Sequence, residues 1–303
     1  MKFGRNFTMT VNGQSQQWVV DYPLTVRFDI ERHMFASINN AKFSIYNLNA
    51  AARKDIYFDR TLHTIYKSLS FNAGYGYILP SASLPLAFKG NITKARTRRE
   101  GVDLITDVEC FDGGYAIANG LVAISQPAGW KFKDVFNRCA ATLPMCAVGS
   151  VADLSAPNSR GITLNGNTWQ EMQNKLTPPG CQLFIDNETV NIVGDNDVVS
   201  QSGGLSEISS DTGLVSIPVK EDSVINCTML FAPELVVGQQ IQLLSTLNPW
   251  VNGFYKIWGL HHHGVISGAV GEAAYTDVAL WAGTLNGLMT QAAADASPFA
   301  SLA

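Results

Sequence analysis

The first 112 residues read as β. Asn6 to Val11, Trp18 to Val20 and Leu24 to Ile30 are short apolar-rich runs with partial alternation, and Asn12-Gly13 supplies a strong hairpin signal between the first two. Lys42-Phe43-Ser44-Ile45-Tyr46 alternates fully, with Phe43 and Ile45 on one face. Ala50 to Ile56 then predicts a short helix capped by Asn49. Ser68 to Ala73, Leu86 to Thr93 and Val102 to Phe111 predict further strands, closed by Gly113-Gly114.

The period changes near residue 114. Trp130, Phe132, Val135, Phe136, Cys139, Ala140 and Leu143 recur at helical spacing, and Pro144 ends the run. A second helix is predicted over Thr168 to Leu176. Thr168 with Glu171 makes a capping-box pattern, Trp169, Met172 and Leu176 form the apolar stripe, and Pro178-Pro179-Gly180 stops it. Cys181 to Ile185 and Thr189 to Val193 predict a hairpin around Asp186-Asn187-Glu188. After a linker at Ser200 to Gly204 the β pattern returns in Ile225 to Leu230, Gln240 to Leu244, Gly253 to Gly264 and Ala274 to Leu280. The expected fold class is therefore mainly β with an α+β insert. Two β units, of barrel or sandwich type, occupy residues 1–113 and 201–285. They flank an α+β domain at 114–200, and an Ala/Gly/Ser-rich tail covers 286–303.

The outer units echo each other. Thr106-Asp107-Val108-Glu109-Cys110-Phe111-Asp112-Gly113 parallels Thr276-Asp277-Val278-Ala279-Leu280-Trp281-Ala282-Gly283, and Phe88-Lys89 parallels Tyr255-Lys256. With two β blocks around an insert, the echo predicts a duplicated unit.

Composition sharpens this picture. The chain has 303 residues, 46% hydrophobic and only 15% charged, which suits a surface partly covered by other subunits. The net charge of -4 argues against a dedicated nucleic-acid binder. Its distribution is uneven: 14 Lys+Arg against 10 Asp+Glu in residues 1–112, and 7 against 15 in the rest. A basic front and an acidic rear suit head-to-tail packing. The N-terminus lacks the apolar core of a signal peptide, and no uninterrupted apolar run reaches the ~20 residues of a membrane helix. Cys110, Cys139, Cys146, Cys181 and Cys227 are odd in number and scattered, which predicts free thiols.

Candidate chemistry is sparse. His261-His262-His263 is the most prominent group, because at strand spacing His261 and His263 share a face and could hold one metal. The competing reading is a strand with polar outward positions. His63 stands alone, and Gly74-Tyr75-Gly76-Tyr77 reads as a turn. Asp186 with Glu188, and Asp195 with Asp197, are carboxylate pairs at turn positions. Lys94, Arg96 and Arg98 share one strand face, with Arg99-Glu100-Gly101 as a hairpin tip, and they suit an acidic subunit, passing nucleic acid or plain solvent.

Several of these segments resemble one family. Lys42 to Asn49 followed by Ala52-Arg53-Lys54-Asp55-Ile56 is similar to the first tube domain of contractile-tailed bacteriophage baseplate hub proteins, related to late control protein D. Pro233 to Ile241, then Asn252-Gly253-Phe254-Tyr255-Lys256-Ile257 before His261-His262-His263-Gly264, resembles the second tube domain. The resemblance implies a non-enzymatic virion protein without cofactor: a homotrimeric hub in the tail baseplate, assembled in the host cytoplasm. Its two tube domains per chain would adapt the sixfold tail tube to the threefold central spike used in host cell puncture, and would line the tail channel. Implied partners are the spike, the tail tube or tube-initiator protein, baseplate wedge proteins and the tape measure protein, with genomic DNA only in transit. Expected interface residues are Phe43, Ile45, Tyr46, Leu48 and Ile56, with Phe254, Tyr255, Ile257 and Trp258, about half of them doubling as core. Two rival readings differ in class. One is a tail-associated cell-wall hydrolase using Asp186, Glu188 or His263. The other is a tail tube or tube-initiator protein, which would carry one tube domain per chain.

Overall fold

The computed structural model describes residues 4–34, 38–57, 67–76, 84–152, 154, 158–199, 206–268 and 273–282. The tail at 286–303, the Ser200 to Gly204 linker, His63, Tyr77 and Gly283 lie outside them.

The first unit contains β1 (Arg5–Asn12), β2 (Gln17–Asp21), β3 (Val26–His33), β4 (Asn40–Tyr46), α1 (Ala50–Ile56), β5 (Lys67–Tyr75), β6 (Leu86–Glu100) and β7 (Asp103–Phe111). Alternation sets the core face. Phe7, Met9 and Val11, then Val26, Phe28 and Ile30, then Ala41, Phe43 and Ile45, are buried while their neighbours along each strand face outward. Phe71 lies at the centre, with ring centroids 5.1 Å from Phe43, 5.5 Å from Phe28 and 6.0 Å from Phe7. Each buried ring contributes roughly 1.5–3 kcal/mol of transfer free energy. The Asn49 side chain caps α1 as expected, accepting from the Ala52 N–H at 2.8 Å. Strand β6 runs seven residues beyond the expected Thr93, to Glu100. Its charged outer half is held by opposite charges across the ladder, Lys94 to Glu109 and Arg98 to Asp107, both at 2.7 Å.

The insert holds α2 (Gly114–Asn119), β8 (Leu121–Gln126), α3 (Phe132–Ala140), β9 (Ala147–Val151), β10 (Ile162–Asn167), α4 (Thr168–Glu171), β11 (Cys181–Asp186) and β12 (Thr189–Gly194). Its own core includes Phe136, Leu164, Met172, Val190 and Ile192. The cap of α4 differs from expectation. Asn167 receives the Gln170 N–H at 3.1 Å, whereas Thr168 is buried against Thr142 at 2.7 Å, and Glu171 pairs with Lys175. A wider, π-helical turn continues from Met172 to Leu176.

The last unit contains β13 (Ser206–Ser209), β14 (Val219–Glu221), β15 (Val224–Leu230), β16 (Gln240–Leu244), β17 (Gly253–Ile266) and β18 (Ala274–Trp281). It does not form a separate sheet. One 13-stranded sheet runs through both β units, joined where β17 pairs with β3.

The echo in the sequence is a repeat in the topology. The first unit orders its strands β3-β4-β7-β6-β5, and the last orders them β14-β15-β18-β17-β16, with every one of these neighbours antiparallel. Register agrees residue by residue. Thr106 lies opposite Ile45 and Thr276 opposite Met229; Ile92 lies opposite Cys110 and Ile257 opposite Leu280. Both long strands shift register at the next step, between Ile92 and Lys94 and between Ile257 and Gly259. The shorter match of Phe88-Lys89 with Tyr255-Lys256 is out of this register, because Lys256 stands where Asn91 does, opposite Trp281 and Phe111 respectively.

Candidate functional site

Three features of the sheet bear on function: its seam, its open edges and its polar face. At the seam, Gly259 to Ile266 of β17 pairs with His33 to Val26 of β3. Arg32, 1% exposed, stands there and reaches all three units. It donates from Nε and Nη2 to Asp186 in the insert at 2.8 and 2.7 Å, and from Nη1 to the carbonyls of Ala87 and Leu235, each at 3.3 Å. The turn carrying Asp186 plugs into the first unit. Asp112 accepts from the backbone N–H groups of Asn187 at 2.6 Å and Glu188 at 2.7 Å, and Lys89 pairs with Glu188 at 2.8 Å. Burial, then the neighbouring Asp186 charge, push the Asp112 carboxyl up to about 7. On the other side, buried Lys256 donates to the carbonyls of Gly194, Asp195 and Asp197, and burial lowers it to about 8.

The open edges follow from the repeat. In the last unit, the outer half of β17 is covered by β3. The matching half of β6, from Thr93 to Glu100, pairs only with β7 among the described residues. Strand β14, the counterpart of β3, likewise pairs only with β15. Around β14 stand exposed apolar side chains, Val215, Ile217 and Val219, and nearby Trp250 is 82% exposed.

The polar face opposes the core across the shared sheet. Lys94, Glu109, Lys42 and Asp29 follow one another across four adjacent strands, so charge alternates in sign, and His263 stands next in line on β17. The face is concave beside β14, forming a trough of about 720 Å³ that includes Glu31, Val219, Asn226, His261 and Asp277.

The expected interface residues divide. Phe43, Ile45, Leu48, Ile56 and Ile257 are buried in the chain's own cores, the two β4 residues and Ile257 on inward-facing strand positions, Leu48 and Ile56 from the loop and helix that follow β4. Tyr46, Phe254, Tyr255 and Trp258 remain half-buried, and Trp258 stacks on Trp281 at 4.9 Å. His261 and His263 do share a face and stack at 4.7 Å, whereas His262 turns into the core and bonds Thr276 at 2.9 Å. Asp186 and Glu188 are not brought to His263: the cleft of about 900 Å³ that includes Asp186 holds a carboxylate already matched on both oxygens by Arg32. Sequence reasoning missed Arg32 and Asp112. A charge on the apolar face of an alternating strand, as Arg32 is between Ile30 and Met34, was the available signal.

The architecture is thus mainly β, a duplicated antiparallel unit around an α+β insert with one shared sheet. A family model described as "Baseplate hub gp41" matches residues 6–265, and the chain belongs to that baseplate hub family. The tail protein from Neisseria meningitidis MC58 shares the fold with a TM-score of 0.60 at 10% identity, over 96% of this chain and 99% of that one. The 43 kDa tail protein of prophage MuSo2 from Shewanella oneidensis gives 0.56 at 8% identity, over 90% and 98%. A type VI secretion component of E. coli, described as structurally similar to the T4 tail proteins gp27 and gp5, gives 0.57 at 9% identity, over 93% and 80%. No curated protein matches in sequence. Among the described residues, no helix is long and apolar enough to cross a membrane.

Proposed function

We propose that this chain is the trimeric, non-enzymatic hub of a tail baseplate. Three copies close a ring of six similar β units that joins the sixfold tail tube to a threefold central spike, and the polar face lines the channel. Residues 1–113 and 201–285 act as the two tube domains, with 114–200 as an appended domain. One observation carries the reading: the seam between β17 and β3 inside the chain has repeat-equivalent edges, on β6 and β14, that are both open among the described residues. A second copy supplies what is missing. In the seam, His261 lies opposite Glu31. By the repeat register Arg96 corresponds to His261 and Glu221 to Glu31, so the β6 edge of one copy meets the β14 edge of the next with Arg96 facing Glu221. The basic stretch Lys94 to Arg99 and the acidic pair Glu221-Asp222 then complement each other, as the uneven charge along the chain suggests. Closure also removes the edges that would otherwise recruit further strands.

The spike, tube, wedge and tape-measure contacts, the assembly site and the place in the virion follow from the hub reading. Native mass spectrometry and negative-stain microscopy of the purified chain test it. Three chains in a ring with six density lobes are expected. A monomer at high concentration, or a hexamer, contradicts it.

A further inference from the structure

The polar face carries a cluster that ring formation does not use. His261 and His263 project from β17, Asp277 from β18 directly opposite His261, and Asp29 from β3 opposite His263. One oxygen of Asp277, Oδ2, stands 3.3 Å from His261 Nδ1 and 3.2 Å from His263 Nε2. The second ring nitrogen of His261, Nε2, stands 3.3 Å from Asp29 Oδ1.

Hydrogen bonding alone satisfies this poorly. A neutral imidazole has one N–H, yet His261 faces a carboxylate with each nitrogen. A neutral ring therefore points one lone pair at an anion, and only the imidazolium would donate from both nitrogens. The two separations to Asp277 are also longer than the about 2.7–2.9 Å of strong charge-assisted bonds. They do match metal coordination: bonds of about 2.0–2.1 Å at tetrahedral angles leave ligand atoms roughly 3.3 Å apart.

The repeat supplies a control. In the first unit, Asp107 occupies the place of Asp277, and Ser44 donates to it at 2.7 Å as Thr228 donates to Asp277 at 2.6 Å. There Arg96 and Arg98 stand where His261 and His263 do, and Arg98 Nε closes on Asp107 at 2.7 Å. The same carboxylate is thus neutralised by a guanidinium in one unit and left to two imidazoles in the other.

We propose that His261, His263 and Asp277 bind one divalent ion of the zinc type on this face, through His261 Nδ1, His263 Nε2 and Asp277 Oδ2. Two imidazoles and a carboxylate are a three-ligand set that leaves a fourth position for water. Outer partners are in place. Asp29 accepts from His261 Nε2–H, which aims the Nδ1 lone pair at the ion, and Thr228 holds Oδ1 of Asp277 so that Oδ2 faces the rings. This inference is independent of the ring reading.

The test uses the full, untagged chain, stripped with chelator, dialysed against zinc chloride and analysed for bound metal. Cobalt(II) loading is followed by visible absorption. About one zinc per chain is expected, with the absorption of a four-coordinate cobalt site. His263→Gln and Asp277→Asn should lose both signals. Asp277→Asn keeps an oxygen for Thr228 and so leaves the ladder in place. Asp29→Asn should bind one ion about tenfold more weakly, as outer-partner losses do. No zinc retained by the wild-type chain, or equal retention in His263→Gln and Asp277→Asn, overturns the proposal.

Discussion

Arg32 and Asp186, 154 positions apart in the chain, form a two-pronged ion pair with both side chains buried. The pair fastens the insert to the seam of the shared sheet, since the same guanidinium also reaches carbonyls of both β units. Arg32→Ala leaves Asp186 charged, buried and unmatched, with Asp112 close behind it. A cost of about 3–5 kcal/mol is expected. Urea denaturation read at the insert tryptophans and by circular dichroism checks this. A loss below about 1 kcal/mol would mean that the pair is not what fastens the insert.

Asp112 gives the fold a pH dependence of known sign. Its carboxyl titrates near 7 in the folded chain against an ordinary value of 3.8, so the folded state holds a proton that the unfolded state releases. The contribution is complete below about pH 4 and is lost as pH rises through about 7, at a slope on the order of 1 kcal/mol per pH unit. Asp112→Asn should flatten stability over that range. Denaturation midpoints at pH 5 and pH 7 decide, and an unchanged slope in the variant rejects the assignment.

The edge pairing predicts a charge-reversal rescue. Arg96→Glu sets two acids against each other across the contact between copies and should weaken assembly at least tenfold. Glu221→Arg alone should do the same, and the double exchange should restore assembly. Analytical ultracentrifugation reads all three. Failure of the double exchange to recover would displace the register derived from the repeat.

Gly90 tests how tightly the sheet of the first unit is built. A Cβ there would stand 2.6 Å from the Phe111 carbonyl oxygen and 2.9 Å from the Phe88 ring. The obstacle is partly backbone and cannot rotate away. Gly90→Ala is expected to cost about 1–3 kcal/mol, seen as a lower melting temperature.

Strand positions, the capped helix Ala50 to Ile56 and the helix around Phe136 were legible in the chain, because period and capping are local properties. The Thr106 and Thr276 echo carried the duplication for the same reason: equal register on equal strands demands similar residues. Strands β8, β9 and β10 were not legible. They are short, they border glycine, and their partners lie far off in sequence.

What only the tertiary structure decided is which edges meet. Alternation says that Phe43 faces one side of a sheet, but not that this side is the interior of its own chain. Nor does it say that β17 reaches across to β3 while, among the described residues, β6 and β14 stay open. Backbone N–H and C=O groups are the same at every residue, so pairing between distant strands carries almost no local signature; geometry chooses the partner. Likewise the spacing of His261 and His263 put two imidazoles on one face, and only the folding of β18 and β3 beside them brought Asp277 and Asp29 within reach.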